Sequence, residues 1–467
     1  MKLSTYKIYR IILLASMPIL LASCFAAKEY ERPEIVDEQY YRTDSIEHDS
    51  ISIAEISWKE VFTDSLLQGY IQEGLDNNID IRIALQQILT AESYVKQGKA
   101  GYLPTLNGKA TATHQELSSN SQFGSLFSSL DQFELSGSLS WEADIWGKIR
   151  SNKRAFQASY LQTVAAHQAV KTELISQIAT VYYQLVALDE QRVITKQTLD
   201  NRKSSLETSK SLKDAGLLTE VAVKQTEAQV YTAENILIEL EVREKLLENT
   251  MSILLGKPSQ TIERNELESQ LITTPIKTGT PALLLRNRPD VIASEYALIE
   301  SFELTNVARS QFYPSLTLNA SGGFQSLELD KLLSANSLFA TFIGGLAQPL
   351  LNGRKIKTQY EVSQAQQEQA LLRFKQSLLI ASKEVSDAMY NYEAATKRIE
   401  FTQKEYEAFA TARNYAAELL NNGYANYLEV LRAEENTLNS NLSLAKVKQS
   451  RLLALVALYR ALGGGWQ

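Results

Sequence analysis

The segment Ala100-Gly101-Tyr102-Leu103-Pro104-Thr105-Leu106 returns 210 residues later as Ser310-Gln311-Phe312-Tyr313-Pro314-Ser315-Leu316. Further echoes keep step with it. Ile145-Trp146-Gly147-Lys148 recurs as Leu351-Asn352-Gly353-Arg354 at an offset of 206, while Leu212-Lys213-Asp214-Ala215-Gly216 recurs as Leu419-Leu420-Asn421-Asn422-Gly423, and Leu254-Leu255-Gly256 as Ala461-Leu462-Gly463, both at 207. Collinear matches at nearly one spacing make the chain two copies of a unit of about 200 residues, so one architecture must serve twice. The copies are expected at residues 67–256 and 289–467, with a linker at 257–288 between them and residues 24–66 leading in.

Proline shows where long helices are permitted. None of the nine prolines falls between Thr105 and Lys257 or between Leu350 and Gln467, so neither stretch contains the residue that breaks a helix interior. Each copy reads helix, strand, strand, long helix, helix, which makes the chain mostly α with a β contribution. Strands are expected at about 105–117, 132–145, 315–327 and 338–350, and the following helices at about 148–213, 217–256, 354–421 and 426–462. In the second strand Phe133, Leu135, Gly137, Leu139, Trp141, Ala143 and Ile145 alternate with Gln132, Glu134, Ser136, Ser138, Ser140, Glu142 and Asp144. Leu316, Leu318, Ala320, Gly322 and Phe324 alternate in the same way in the third. Strands this long, with one apolar and one polar face, match the signature of an outer-membrane barrel, or of a half-buried sheet in a soluble domain.

In the helices, Leu371, Phe374, Leu378, Ala381, Val385, Ala388, Tyr392, Ala395 and Ile399 alternate spacings of three and four, which is one coiled-coil seam. The last helix carries two seams, one beginning at Leu428 and Leu431 and the other at Val430 and Ala433. An offset of two residues sets them about 200° apart, on opposite sides, as in one stave of a closed wall. A continuous helix from Lys148 to Lys213 would run about 100 Å.

The N-terminus indicates the compartment. Lys2, Lys7 and Arg10 precede the apolar run Ile11–Leu20, and Leu21-Ala22-Ser23-Cys24 ends in the only cysteine of the chain. This is the pattern of a secretion signal, residues 1–23, followed by a lipid-acceptor Cys24. The apolar run is too short to span a bilayer as a helix, which needs about 20 residues. Removing the signal moves the formal charge from −7 to −10, so there is no basic footprint for nucleic acid. One Cys and three scattered His exclude a disulfide framework and make a His-based metal site improbable. No Ser/His/Asp set, HExxH or phosphate-cradling Gly loop is present, so neither an enzyme nor a cofactor is expected.

Several motifs together resemble the TolC-like outer-membrane efflux proteins, and the lipid-acceptor Cys resembles their OprM/NodT lipoprotein branch. They are Trp58, Phe62, Asp64 and Leu66 followed by Asn78 and Asp80; Arg288-Pro289-Asp290-Val291 leading to Ala308-Arg309 and Phe312-Tyr313-Pro314; and Gly423 followed by Asn426-Tyr427-Leu428-Glu429-Val430-Leu431. The resemblance implies a homotrimer whose strands form one 12-stranded barrel in the outer membrane, continuous with an α-barrel in the periplasm. It implies a passive duct for drugs or other small solutes, working with a periplasmic adaptor and an inner-membrane pump and anchored in outer-membrane lipid through acylated Cys24. By the same resemblance the strand loops are extracellular. Gly216, Leu217 and Thr219, with Gly423, Tyr424 and Asn426, are the adaptor-contact tips. Leu428, Glu429 and Arg432 stand at the periplasmic aperture. Glu429 matches a position that is acidic in TolC, whereas Arg432 replaces the family's Asp, which suggests a Glu429 to Arg432 pairing within or between protomers as the lock. An exposed i,i+3 pair of little consequence is the alternative for those two residues. For the whole chain the alternative is a lipidated periplasmic adaptor, which shares the signal and the coiled-coil hairpin but not the duplicated strand pairs.

Overall fold

The computed structural model describes residues 27–33, 52–122, 124, 126, 128–270, 272 and 283–466. The expected signal and Cys24 lie outside the described residues, as does part of the linker. After a single helical turn at Trp58–Val61, the first copy comprises α1 (Ser65–Asn77), α2 (Ile79–Ala100), β1 (Thr105–Glu116), β2 (Ser129–Ala143), α3 (Lys148–Asp214) and α4 (Glu220–Leu254). A second turn at Leu284–Asn287 precedes α5 (Pro289–Ser310), β3 (Ser315–Ser326), β4 (Leu338–Ala347), α6 (Lys355–Asn421) and α7 (Tyr427–Ala461). The copies agree in length: α2 and α5 have 22 residues each, β1 and β3 have 12, α3 and α6 have 67, and α4 and α7 have 35.

Element ends differ from the sequence expectation for local reasons. α4 and α7 each begin one residue after a capping side chain, Thr219 and Asn426, instead of including it. β4 stops at Ala347 and not at 350, since Pro349 has no N–H to offer a ladder. β2 starts earlier than expected, at Ser129, because its partner β1 runs on to Glu116.

The chain divides into two compact units, residues 1–34, 87–163 and 294–374, and residues 35–86, 164–293 and 375–467. The first holds one antiparallel sheet in the order β1-β2-β3-β4. Its register carries like residues across the strands. Ala110, Leu135, Phe324 and Leu338 form one cross-strand row; Leu106, Leu139, Ala320 and Phe342 form another; and Gly108, Gly137, Gly322 and Ala340 lie between them. The alternate row Asn107, Ser138, Ser321 and Thr341 is polar. Exposure separates the two readings of such a sheet. Leu106, Leu135, Leu318, Leu338, Phe342 and Leu346 are between 45% and 83% exposed, whereas a half-buried sheet of a soluble domain would cover that face. The apolar side is built for lipid. Indole groups fix the sheet's base: Trp141 Nε1 donates to the Tyr102 carbonyl at 2.9 Å, and Trp146 Nε1 donates to the Pro314 carbonyl at 2.7 Å while stacking on Tyr313 at 4.8 Å.

The second unit is helical. Both α7 seams are covered: Leu431, Leu438, Leu452 and Val456 are buried on one side, and Val430, Ala433, Leu444 and Leu458 on the other. No helix among the described residues is long and apolar enough to cross a membrane.

Two equivalent knots join the ends of each repeat. Asn78 Oδ1 accepts from the Asp80 and Ile81 amides at 2.9 and 3.2 Å, and its Nδ2 donates to the Leu254 carbonyl at the end of α4 at 2.9 Å. In the second copy Arg288 Nη1 donates to the Ala461 carbonyl at 3.0 Å, and its other nitrogens hold Asp290 at 2.6 and 3.0 Å. Gly256 and Gly463, at φ 69° and 88°, lie against the Asn77 and Asn287 carbonyls so closely that a Cβ would collide. Asp64 is a third knot. Its carboxylate caps α1 through the Leu66 and Leu67 amides and accepts from Tyr182 Oη at 2.8 Å, Asn265 Nδ2 at 3.0 Å and Gln270 Nε2 at 2.6 Å. Burial pushes this carboxyl up, but the bonds from Gln270, Tyr182 and Asn265 outweigh it and hold the pKa below the usual carboxylate range.

Asp64→Asn turns an amide toward these donors and should cost about 3 kcal/mol. Because the folded-state pKa is depressed, the stability gap between wild type and D64N should be full above about pH 4 and shrink only as pH falls through that pKa. Thermal unfolding in detergent at stepped pH checks this; a gap that closes well above pH 4 contradicts it.

Candidate periplasmic aperture and its supports

The two helical hairpins end in the same turn. α3 closes on Gly216 at φ 75°, with the Gly216 amide on the Lys213 carbonyl at 2.9 Å and the Leu217 amide on the Leu212 carbonyl at 2.8 Å. α6 closes on Gly423 at φ 76°, with Gly423 to Leu420 at 3.0 Å and Tyr424 to Leu419 at 2.8 Å. This paired bonding is the Schellman cap, whose left-handed residue is cheapest as glycine. Thr219 Oγ1 then accepts from the Ala222 amide at 3.4 Å and Asn426 Oδ1 from the Leu428 amide at 3.1 Å, starting α4 and α7. The caps leave Leu217 and Tyr424 standing out, 72% and 83% exposed.

Behind the tips sits a residue that the sequence reading did not single out. Tyr427 is buried with Ala222 and Leu431, and Leu218 and Leu420 pack on that cluster. Its hydroxyl lies 2.7 Å from Ser209 Oγ on α3 and 2.8 Å from Thr226 Oγ1 on α4. One phenol thus fastens α7 to both arms of the first hairpin. Its signal was available, since Tyr427 precedes Val430 by three and Leu431 by four. Leu428, the expected first residue of a seam, is instead 40% exposed. Glu429 and Arg432 share the exposed side of α7, and no ion pair joins them within the chain.

Above the tips Arg264 gathers carboxylates. Only 6% of its side chain is exposed, and it reaches Asp189 at 2.5 and 2.9 Å, Glu244 at 2.6 Å and Glu248 at 3.1 Å. Arg192 and Lys245 balance the excess charge from the rim. Arg264 therefore clasps the start of the linker to α3 and α4, and nothing local in its sequence announces this.

A four-stranded sheet with a lipid-type face, in a chain whose paired long helices close in capped hairpin tips, defines a subunit of an outer-membrane channel with a helical part. The chain belongs to the outer membrane efflux protein family, whose model matches twice, over residues 70–257 and 280–464. It is 25% identical over 456 residues to the cation efflux system protein CusC of Escherichia coli O6:H1, covering 96% of this chain and 97% of that one. To the outer membrane protein OprJ of Pseudomonas aeruginosa it is 26% identical, covering 96% and 94%. The solved outer-membrane channel OprN superposes with a TM-score of 0.86 at 22% identity, covering 94% of this chain and 99% of that one, which shows the shared fold.

Tyr427→Phe removes the hydroxyl between Ser209 and Thr226, each of which retains a backbone carbonyl acceptor. The expected loss is about 1 kcal/mol, seen as roughly fivefold faster amide exchange at the tip ends of α3 and α4. Unchanged exchange there, with the rest of the chain as an internal reference, counts against the fastening.

Proposed function

We propose that the chain is one third of a passive duct that carries drugs or other small solutes out across the outer membrane. An inner-membrane pump and a periplasmic adaptor deliver the solutes. The observation that carries this reading is the uncovered apolar face of the sheet together with its two unpaired edges, β1 and β4. An open edge cannot face lipid, and four strands are too few to close on themselves. Pairing β4 of one copy with β1 of the next closes the sheet, and three copies give the 12-stranded barrel of the family. The helices support the same assembly. Tyr231, Ile238, Val242, Leu246 and Ile253 make an exposed stripe along α4, each at least 53% exposed, and their spacings of four and seven keep them on one face of the helix. Nothing in conduction requires chemistry on a bond.

The N-terminal strap supports lipid anchoring. Ala27 lies against Gly147, so that a Cβ there would come within 3.3 Å of the Ala27 Cβ. Residues 28–32 then run along α5: Asn306 exchanges two bonds with the Lys28 backbone at 3.0 and 3.1 Å, Tyr30 meets Phe302 edge-on at 5.6 Å, and Arg32 grips Glu295 at 2.5 and 2.6 Å. Cys24 is three residues from Ala27, a reach of about 10 Å, so an acyl chain on it would enter the membrane beside the sheet's base.

At the hairpin tips Leu217 and Tyr424 are the apolar knobs offered to the adaptor, with Gly216, Thr219, Gly423 and Asn426 holding their turns. Leu428, Glu429 and Arg432 ring the aperture. Since Glu429 and Arg432 do not pair within one chain, the lock is a pairing between protomers.

Replacing both with alanine should raise the closed-state conductance of the purified protein in planar bilayers, and an unchanged conductance would remove the gate assignment. Independently, Ile238→Asp with Val242→Asp should abolish heat-resistant trimers in outer-membrane fractions, because buried carboxylates would line the seam. Trimers that survive this change would show that the α4 stripe is not the contact between copies.

A further inference from the structure

Part-way up the helical unit, α3, α6 and α7 leave a cavity of about 360 Å3 between them. Its wall is polar: Asn201 and Arg202 come from α3, Arg413 and Asn414 from α6, and Glu434 and Asn441 from α7. Arg202 is 3% exposed, and its Nη1 donates to the Gln229 carbonyl at 2.7 Å, yet its Nε is buried without a hydrogen-bond partner. Glu434 accepts the Ser205 hydroxyl on Oε1 at 3.4 Å, while its Oε2 is buried without one. The guanidinium and the carboxylate share one cavity and form no ion pair with each other.

A buried guanidinium and a part-buried carboxylate with an unmatched inner oxygen are costly to hold apart unless something between them satisfies both. An anion alone would satisfy Arg202 and be repelled by Glu434, and a cation alone would do the reverse. We propose that this cavity binds a small zwitterion of the amino-acid class, with its carboxylate on Arg202 and Arg413 and its ammonium on Glu434. The amides of Asn201, Asn414 and Asn441 supply neutral donors and acceptors around it. Burial pushes the Glu434 carboxyl up against the pull of Arg202 and Arg413, and an ammonium beside it would hold it ionised. An occupant would bridge the three helices whose ends build the aperture, so binding there stiffens the tip end.

Calorimetric titration of the full chain in detergent with glycine, L-glutamine, acetate and methylammonium tests this. At least one amino acid should bind, with acetate and methylammonium each weaker by about tenfold or more. Glu434→Gln and Arg202→Gln should each weaken the amino acid roughly thirtyfold, as expected for removing one partner of a buried charge pair. Arg413→Gln, at the partly exposed rim, should weaken it less and serves if Arg202→Gln does not fold. Three results overturn the proposal: no heat with either amino acid, acetate binding as well as the amino acids, or a structure grown with glycine that shows water alone in the cavity.

Discussion

The exposed backbone of β1 and β4 is the constraint from which the rest of this molecule follows. Each edge of the sheet presents a row of N–H and C=O groups over 12 and 10 residues, and in hydrocarbon every unpaired group costs several kcal/mol. A single chain cannot remove that cost, because its four strands lie side by side with the first and last unpaired. Closure has to come from other copies. Once strands are shared between copies, the helices of each chain must also meet those of the next, and the apolar stripe on α4 answers that demand. The polar alternate face of the sheet then encloses water, as a conduit requires.

Duplication meets the same demand twice with different atoms. Asn78 and Arg288 stand at the same place in the two copies, and each donates to a carbonyl at the end of the copy's last helix. The amide is short and also caps its own helix; the guanidinium has donors to spare and takes Asp290 and Glu384 as well. In both cases a terminal carbonyl that would be left unmatched is satisfied. What is preserved between the copies is the bond and not the residue. The glycines behave oppositely, since Gly256 and Gly463 are retained where backbone meets backbone and no side chain fits.

What the sequence disclosed follows from how local each signal is. Strand alternation and the helical seams have periods of a few residues, so they could be read directly, and the Gly216 and Gly423 turns announced themselves through the repeat. The Asp64 motif was visible, but its function was not. Its partners Tyr182, Asn265 and Gln270 lie far along the chain, and their types carry no pattern. Arg264, Arg202 and Glu434 escaped for the same reason. Leu428 differed for another reason. The spacing put Leu428 first in a seam, whereas the structure buries the adjacent Tyr427, whose hydroxyl meets those of Ser209 and Thr226.

That arrangement also bears on what holds the hairpin tips together. The ion pairs nearest the tips, Lys213 with Glu220, Lys210 with Glu207 and Lys224 with Glu227, lie at the surface, where water and salt screen them and little stability follows. Burying an aromatic ring the size of Tyr427 contributes about 2 kcal/mol without regard to salt. The inner fastening of the tip is therefore apolar and neutral, while Glu429 and Arg432 lie exposed on α7. Salt therefore weakens the surface pairs of the hairpin tips while α7 stays fastened to α3 and α4, because separate interactions hold the two.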